Sequence, residues 1–284
     1  FGGEPLLYPS FFNLLEMFQR NMISPKIATN GILLTPEVVD KLVDYGVGSI
    51  QISIDTLNHS VFRQLTGGCA QELKKILDNL NYLLKSPIRT VVSSTITSIN
   101  LKEIPYILDS LFDIGVDSYT TYLLTPGSTN HNEKKCRLSC SELPVLLEKL
   151  LASYNKTSQT RIVDVNYPWF VKTNIYKKWS DKIELRCHGC GAGLYTLSIK
   201  SNGDVSPCIC NGSKKFVCGN IRESSVKEIW NSEKLKLYHL NNLQVPECKG
   251  CEYLKECRGG CRNNASVLSG NQESNPFDKL CGVL

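Results

Sequence analysis

The sequence predicts an α/β fold with a parallel sheet, followed by a smaller cysteine-rich α+β region. Three observations lead there. Strand-like and helix-like stretches alternate about five times over residues 10–165. Of the thirteen cysteines only Cys69, Cys136 and Cys140 precede Cys187. From Cys187 onward long helical periods give way to short runs and turn signals.

The elements follow in order. Residues 10–20 (SFFNLLEMFQR) place apolar side chains at helical spacing. Lys26–Thr29 is a short strand closed by Asn30-Gly31, a turn signal. Thr35-Pro36-Glu37 opens a helix, with Thr35 as cap and Pro36 at the first position, and Gly46 ends it. Residues 49–54 alternate with period two and predict a strand. A helix over 71–85, a β-branched strand over 89–97, a helix over 101–112 and a strand over 117–123 come next. A helix over 141–154 and a strand over 161–165 close the series.

Each crossover helix returns the chain to the same end of the sheet, so the strands run parallel. A partial or complete β/α barrel and an open doubly wound sheet both fit. In either, ligands sit at the carboxyl ends of the strands. The polar residues there are Thr29, Asn30, Ser53, Asp55, Thr95, Thr125 and Gly127. Residues 167–186 have no clear period and are expected to be a linker. Beyond it, 194–207 (LYTLSIKSNGDVSP) predicts a β-hairpin turning at Asn202-Gly203, and 224–230 a short capped helix.

Composition limits the function classes. At 42% hydrophobic and 21% charged, the chain is an ordinary globular one that buries a real core. Its net charge of +5 is diffuse, with no run of five Lys/Arg, which argues against nucleic acid. No apolar run reaches the ~18 residues needed to cross a bilayer, so no membrane partner is expected. Thiols crowded into one end of a larger, cysteine-poor chain point to bound metal in a reducing compartment, hence a cytoplasmic protein.

The C-terminal spacing carries the chemistry. Cys187-x2-Cys190 is followed by twelve residues, Gly203, four residues and Cys208. Then come Cys248-x2-Cys251-x5-Cys257-x3-Cys261 and finally Cys281. Eight ordered cysteines suffice for two four-thiolate sites. Structural zinc and iron–sulfur clusters both take four thiolates, and disulfides are the third reading. A paired zinc knuckle usually repeats the x2 spacing, so x5 then x3 favours clusters.

This pattern resembles the SPASM domain, the C-terminal extension of one group of radical S-adenosylmethionine enzymes. The words Cys190-Gly191-Ala192-Gly193, Asn202 to Cys208 and Gly219-Asn220-Ile221 fit it as well. The resemblance implies two auxiliary [4Fe–4S] clusters with interleaved ligands: Cys187, Cys190, Cys208 and Cys261 for the first, and Cys248, Cys251, Cys257 and Cys281 for the second. Cys210 and Cys218 have no place in the pattern and read as spare thiols. Gly2-Gly3-Glu4-Pro5 is similar to the family's GGE turn, where glycines allow close backbone approach and the carboxylate takes the cofactor's amino group. Thr29-Asn30 and Ser53-Ile54-Asp55 match the family's next strand ends; Ser53 and Asp55 are implied contacts to the ribose or methionine carboxylate. The implied cofactor site is therefore Gly2, Gly3, Glu4, Thr29, Asn30, Ser53 and Asp55.

The resemblance implies a partial (β/α)6-type barrel over 1–166, the linker over 167–186 and the auxiliary-cluster domain over 187–284. The family's C-x3-C-x2-C motif, which binds the radical-generating cluster, does not occur in the sequence. Cys136-x3-Cys140 begins such a spacing, but Leu143 stands where the third cysteine would fall. The chain is thus expected to be an N-terminally truncated barrel that makes no radical as given, and the radical-generating cluster is expected only if a preceding segment supplies it. The implied activity is hydrogen-atom abstraction from a peptide or protein, as in ribosomal-peptide maturases that form thioether or carbon–carbon crosslinks. Ferredoxin or flavodoxin is the implied electron donor. Sulfatase-maturing members carry Asp directly after the Gly-x4-Cys cysteine; here Ile209 follows Cys208, which counts against that alternative. The rival from another class is a non-catalytic, metal-bearing peptide-binding module.

Overall fold

A computed structural model describes residues 3–124, 142–154, 162–165, 168–181, 185–186, 189–210, 214–236, 238, 245–263, 265 and 281. Its frame is one parallel sheet of β1 (Lys26–Thr29), β2 (Ser49–Ser53), β3 (Arg89–Ile96), β4 (Ser118–Leu123), β5 (Ile162–Val165) and β6 (Leu185–Arg186). The strands lie side by side in sequence order. A doubly wound sheet needs a point where strand order reverses, and this sheet has none. The successive crossovers share one hand, so the helices cover one face and the sheet forms part of a barrel wall.

The first helices are α1 (Phe11–Arg20), α2 (Pro36–Asp44), α3 (His59–Thr66) and α4 (Ala70–Leu83). They are followed by α5 (Ile104–Asp113) and α6 (Glu142–Tyr154). The sheet's helix-facing side contributes Ile50, Ile52, Val92 and Tyr119, all fully buried. Val39, Leu42, Leu80, Leu108 and Leu147 meet it from the helices. Thr35 and Pro36 open α2 as expected, although the Thr35 side chain makes no cap hydrogen bond to the backbone.

Two stretches differ from the sequence reading. Helix α3 was not expected, though its signals are present: Asn58 caps it by accepting from the Ser60 and Val61 amides, and Gly67 closes it in the left-handed region. The aperiodic stretch 167–186 holds a 3-10 turn (Pro168–Lys172), helix α7 (Asn174–Trp179) and strand β6. Each piece is too short to display a period. The turn is anchored by buried Phe170 and Val171, and α7 by its Thr173 cap and buried Trp179.

The cysteine-rich region has a three-stranded antiparallel sheet of β7 (Ser198–Ile199), β8 (Asp204–Ser206) and β9 (Gly219–Asn220). The expected hairpin is β7–β8. Its Gly203 sits at φ +89°, and an added Cβ would meet the Asn220 side chain at 2.5 Å. That explains the glycine at this point of the pattern. The capped helix α8 (Val226–Trp230) has a full capping box between Ser225 and Glu228. A last short helix, α9 (Leu254–Cys257), ends in Arg258 at φ +55°. Among the described residues no helix is long and apolar enough to cross a membrane.

Candidate functional site

The carboxyl ends of β1 and β2 gather most of the expected cofactor residues. Glu4 stands just before a 3-10 turn (Pro5–Leu7), and its Oε1 accepts from the Leu6 amide at 3.3 Å. The same oxygen accepts from Thr29 Oγ1 at 2.7 Å, and Oε2 accepts from the Asn30 amide at 2.9 Å. The carboxylate is therefore fixed in place but partly used: a carboxylate accepts about four hydrogen bonds, and three are made here. One acceptor position remains for an ammonium. Gly3, at φ +118° with no atom within 4 Å of an added Cβ, leaves its backbone face open. Gly2 lies outside the described residues.

The Thr29-Asn30-Gly31 turn is tightly held. Asn30 Oδ1 accepts from the Ile32 amide at 2.9 Å, and buried Asn79 donates to the Gly31 carbonyl at 2.8 Å. Thr29 stands opposite Ile52, so Ser53 lies one residue further along the neighbouring strand end, and it is exposed. Asp55 also makes contacts within the barrel wall. Its Oδ1 accepts from the Thr95 amide at 2.7 Å, and Asn100 donates to the Asp55 and Thr95 carbonyls. Asp55 thus ties the end of β2 to the end of β3. Burial pushes its carboxyl above the usual range, partly offset by the Thr95 hydrogen bond. Thr125 and Gly127 lie outside the described residues.

The strand register adds Gln51, Ser93, Thr120 and Tyr122, which the sequence reading passed over, to Ser53 and Thr95, which it had noted. Gln51, Ser53, Ser93, Thr95, Thr120 and Tyr122 fall on the sheet face opposite the helices, and Gln51 donates to Ser93 Oγ at 3.0 Å. Parallel strands are usually apolar on both faces. A polar residue at every second position of Ser49–Ser53 was therefore a signal of a polar concave face.

The cysteines fall into two groups. Cys248, Cys251, Cys257 and Cys281 line one small pocket, together with Lys172, Glu247, Leu254 and Gly259. Cys190, Cys208 and Cys261 each act electrostatically on Tyr238, whose hydroxyl is pushed well above its usual pKa, first by burial and then by these thiols. Cys187 lies outside the described residues, as do Cys136 and Cys140. Cys210, read as spare, hydrogen-bonds with Cys208, and that contact together with burial raises the Cys208 thiol strongly. Arg262 is buried and its charge acts on both Cys248 and Tyr238, which places a cation between the two groups. Its guanidinium donates to the Gly259 carbonyl. Among the described residues no three His, Cys, Asp or Glu side chains close on a point suited to one metal ion. Four thiols around a pocket fit a polynuclear cluster, whose irons are held at separate corners.

The two groups meet at a tight crossing. Both C-x2-C pairs read Cys-x-Gly-Cys, and their glycines differ. Gly250 has φ +77° with open space around it, whereas an added Cβ on Gly189 would meet the Glu256 carbonyl at 2.2 Å. Arg258 lies across Gly189 and donates to the Tyr195 hydroxyl at 2.9 Å, its guanidinium 5.2 Å from that ring.

A partial parallel β/α barrel with a polar mouth, joined to a region of grouped thiols, defines a cofactor-dependent, metal-binding class of enzyme. Residues 1–111 match the radical SAM superfamily, and residues 190–252 match SPASM, an iron-sulfur cluster-binding domain. The chain belongs to the radical SAM enzymes that carry a C-terminal SPASM domain. It is 29% identical to the AdoMet-dependent heme synthase of Methanosarcina barkeri, over 97% of this chain and 80% of that protein. The fold matches Streptococcus suis SuiB bound to S-adenosylmethionine with a TM-score of 0.74 at 20% identity, covering 99% of this chain and 64% of that one. It matches anSMEcpe with bound AdoMet with a TM-score of 0.75 at 17% identity, covering 100% and 79%.

Proposed function

We propose that this chain is the barrel wall and auxiliary-cluster region of a (β/α)6-type radical S-adenosylmethionine enzyme that acts on a peptide or protein by hydrogen-atom abstraction. The single observation that carries the metal part is the pocket lined by Cys248, Cys251, Cys257 and Cys281, thiols spread over 34 residues of chain. They would hold one [4Fe–4S] cluster, and Cys187, Cys190, Cys208 and Cys261 the other. Glu4, through its remaining acceptor position, would receive the cofactor's ammonium, with Gly2 and Gly3 giving close backbone approach. Thr29 and Asn30 orient that carboxylate. Ser53 and Asp55 would contact the cofactor's ribose or methionine carboxylate at the next strand end, while Asp55 also ties the ends of β2 and β3. When bound and reduced, S-adenosylmethionine supplies the radical chemistry, and the protein's part is orientation and exclusion of water. Gln51, Ser93, Thr120 and Tyr122 give the substrate a hydrogen-bonding wall. Ferredoxin or flavodoxin is the proposed electron donor.

Anaerobic reconstitution with iron and sulfide tests the metal assignment. The expected result is about eight irons per chain with a broad band near about 400 nm. Two zinc ions and no visible band would refute it. A second substrate reading is a tetrapyrrole, and the sequence similarity to a heme synthase favours it. Fluorescence titration of the reconstituted chain with a porphyrin carboxylate and with candidate peptides separates the two: saturable binding of the peptide alone supports the first, and of the porphyrin alone the second.

A further inference from the structure

We propose that Lys172 sets the reduction potential of the site formed by Cys248, Cys251, Cys257 and Cys281. This rests on the reading of that pocket as a cluster site and adds a residue outside the cysteine pattern.

Lys172 is the last residue of the 3-10 turn Pro168–Lys172, which precedes the cysteine-rich region. Its Nζ donates to Cys281 Sγ at 3.3 Å, and it lines the same pocket as all four thiols. The backbone beneath it is fixed. Phe170 and Val171 are buried, and the Thr173 hydroxyl and amide both donate to the Phe170 carbonyl. The lysine therefore leaves a rigid turn toward the pocket. Glu247 is the carboxylate among the described pocket-lining residues, and it makes no ion pair with Lys172 there. Lys172 is exposed, and a lysine side chain open to solvent carries its charge at neutral pH.

The consequence is electrostatic. One-electron reduction adds a negative charge to a cluster that four thiolates already make anionic. A fixed ammonium and an N–H···S hydrogen bond both favour the reduced form, and hydrogen bonds to sulfur together with local charge are among the terms that set cluster potentials. Lys172 thus raises the potential of this site and leaves the other thiol group, around Tyr238, unaffected. It is a positioning and tuning residue, not a ligand: an ammonium has no lone pair to give.

The test is a redox titration with dithionite, followed by electron paramagnetic resonance, on the reconstituted 284-residue chain and on its Lys172→Met, Lys172→Gln and Lys172→Arg variants. In the wild type, iron content first decides the cluster reading, and a chain without clusters ends both proposals at that step. With clusters present, Met and Gln are expected to move one midpoint to more negative potential, leaving the other midpoint and the iron content unchanged. Arg restores the wild-type value, or most of it. Midpoints that do not move in Met and Gln, or a loss of iron in both, would overturn the inference, the second outcome assigning Lys172 a purely structural part.

Discussion

Replacing Gly189 by Ala strains the crossing between the two thiol groups. The new Cβ would stand 2.2 Å from the Glu256 carbonyl oxygen, and 2.8 Å and 3.0 Å from the Arg258 stem. Side-chain carbons essentially never approach a backbone oxygen that closely, so the segment leading to Cys190 must move away from Glu256 and Cys257. Overpacking of this kind costs about 1–3 kcal/mol. The displaced Arg258 also loses its hydrogen bond and its ring contact with Tyr195, each worth about 0.5–1 kcal/mol at an exposed site. The total is about 2–5 kcal/mol. Gly250→Ala is the matched control: it sits at the same place in the other Cys-x-Gly-Cys pair and meets open space, so only its left-handed backbone counts, about 1–2 kcal/mol. Urea unfolding of the metal-free chain reads the stability. Iron content after reconstitution reads the geometry, and Gly189→Ala is expected to lose iron while Gly250→Ala keeps it. Equal midpoints for the two variants, with full iron in both, would show that the crossing does not constrain the thiols.

Further outcomes follow from the strand-end contacts. Asp55→Asn keeps an acceptor for the Thr95 amide and removes a half-buried charge. Because the folded carboxyl titrates above its unfolded value, the wild type loses stability relative to Asn as pH rises through that interval. The variant's thermal midpoint should match the wild type in acid and exceed it at neutral pH, and a gap that narrows toward neutrality would contradict the burial assignment. Glu4→Gln leaves one acceptor where Thr29, Asn30 and Leu6 now share two oxygens. Equilibrium dialysis should show S-adenosylmethionine binding weakened at least about tenfold, the scale of one charge-assisted hydrogen bond. Cys251→Ser is expected to remove about four irons per chain, the content of one [4Fe–4S] site, whereas Cys210→Ser, despite its contact with Cys208, should leave the content unchanged.

Most of the frame was legible because periodicity follows burial. The strands over 26–29, 49–54, 89–97 and 117–123 and the helices between them occur where the alternation places them, within a few residues. What escaped was short or set by tertiary contact. Helix α3 carries a cap and a closing glycine but too few turns to show a period, and the turn under Lys172 is held by two buried side chains. The choice between barrel and doubly wound sheet depends on strand order, which no single strand encodes. At the site, residue types led to Glu4, Thr29 and Asn30, which the structure brings into contact. Residue types did not reveal that Asp55 also accepts from the Thr95 amide, a partner forty positions away. Lys172 was invisible for a simpler reason: its partner Cys281 lies 109 positions away.

The interleaving of the two thiol groups also bears on how the protein is made. Cys261, grouped with Cys190 and Cys208 around Tyr238, falls in the chain between Cys257 and Cys281 of the other group. On the proposed ligand sets, the stretch that completes either site also carries at least one cysteine of the other. As the chain leaves the ribosome the first site waits for Cys261 and the second for Cys281, twenty residues later. A chain cut between those two cysteines carries the whole of the first proposed ligand set and three of the four thiols of the second.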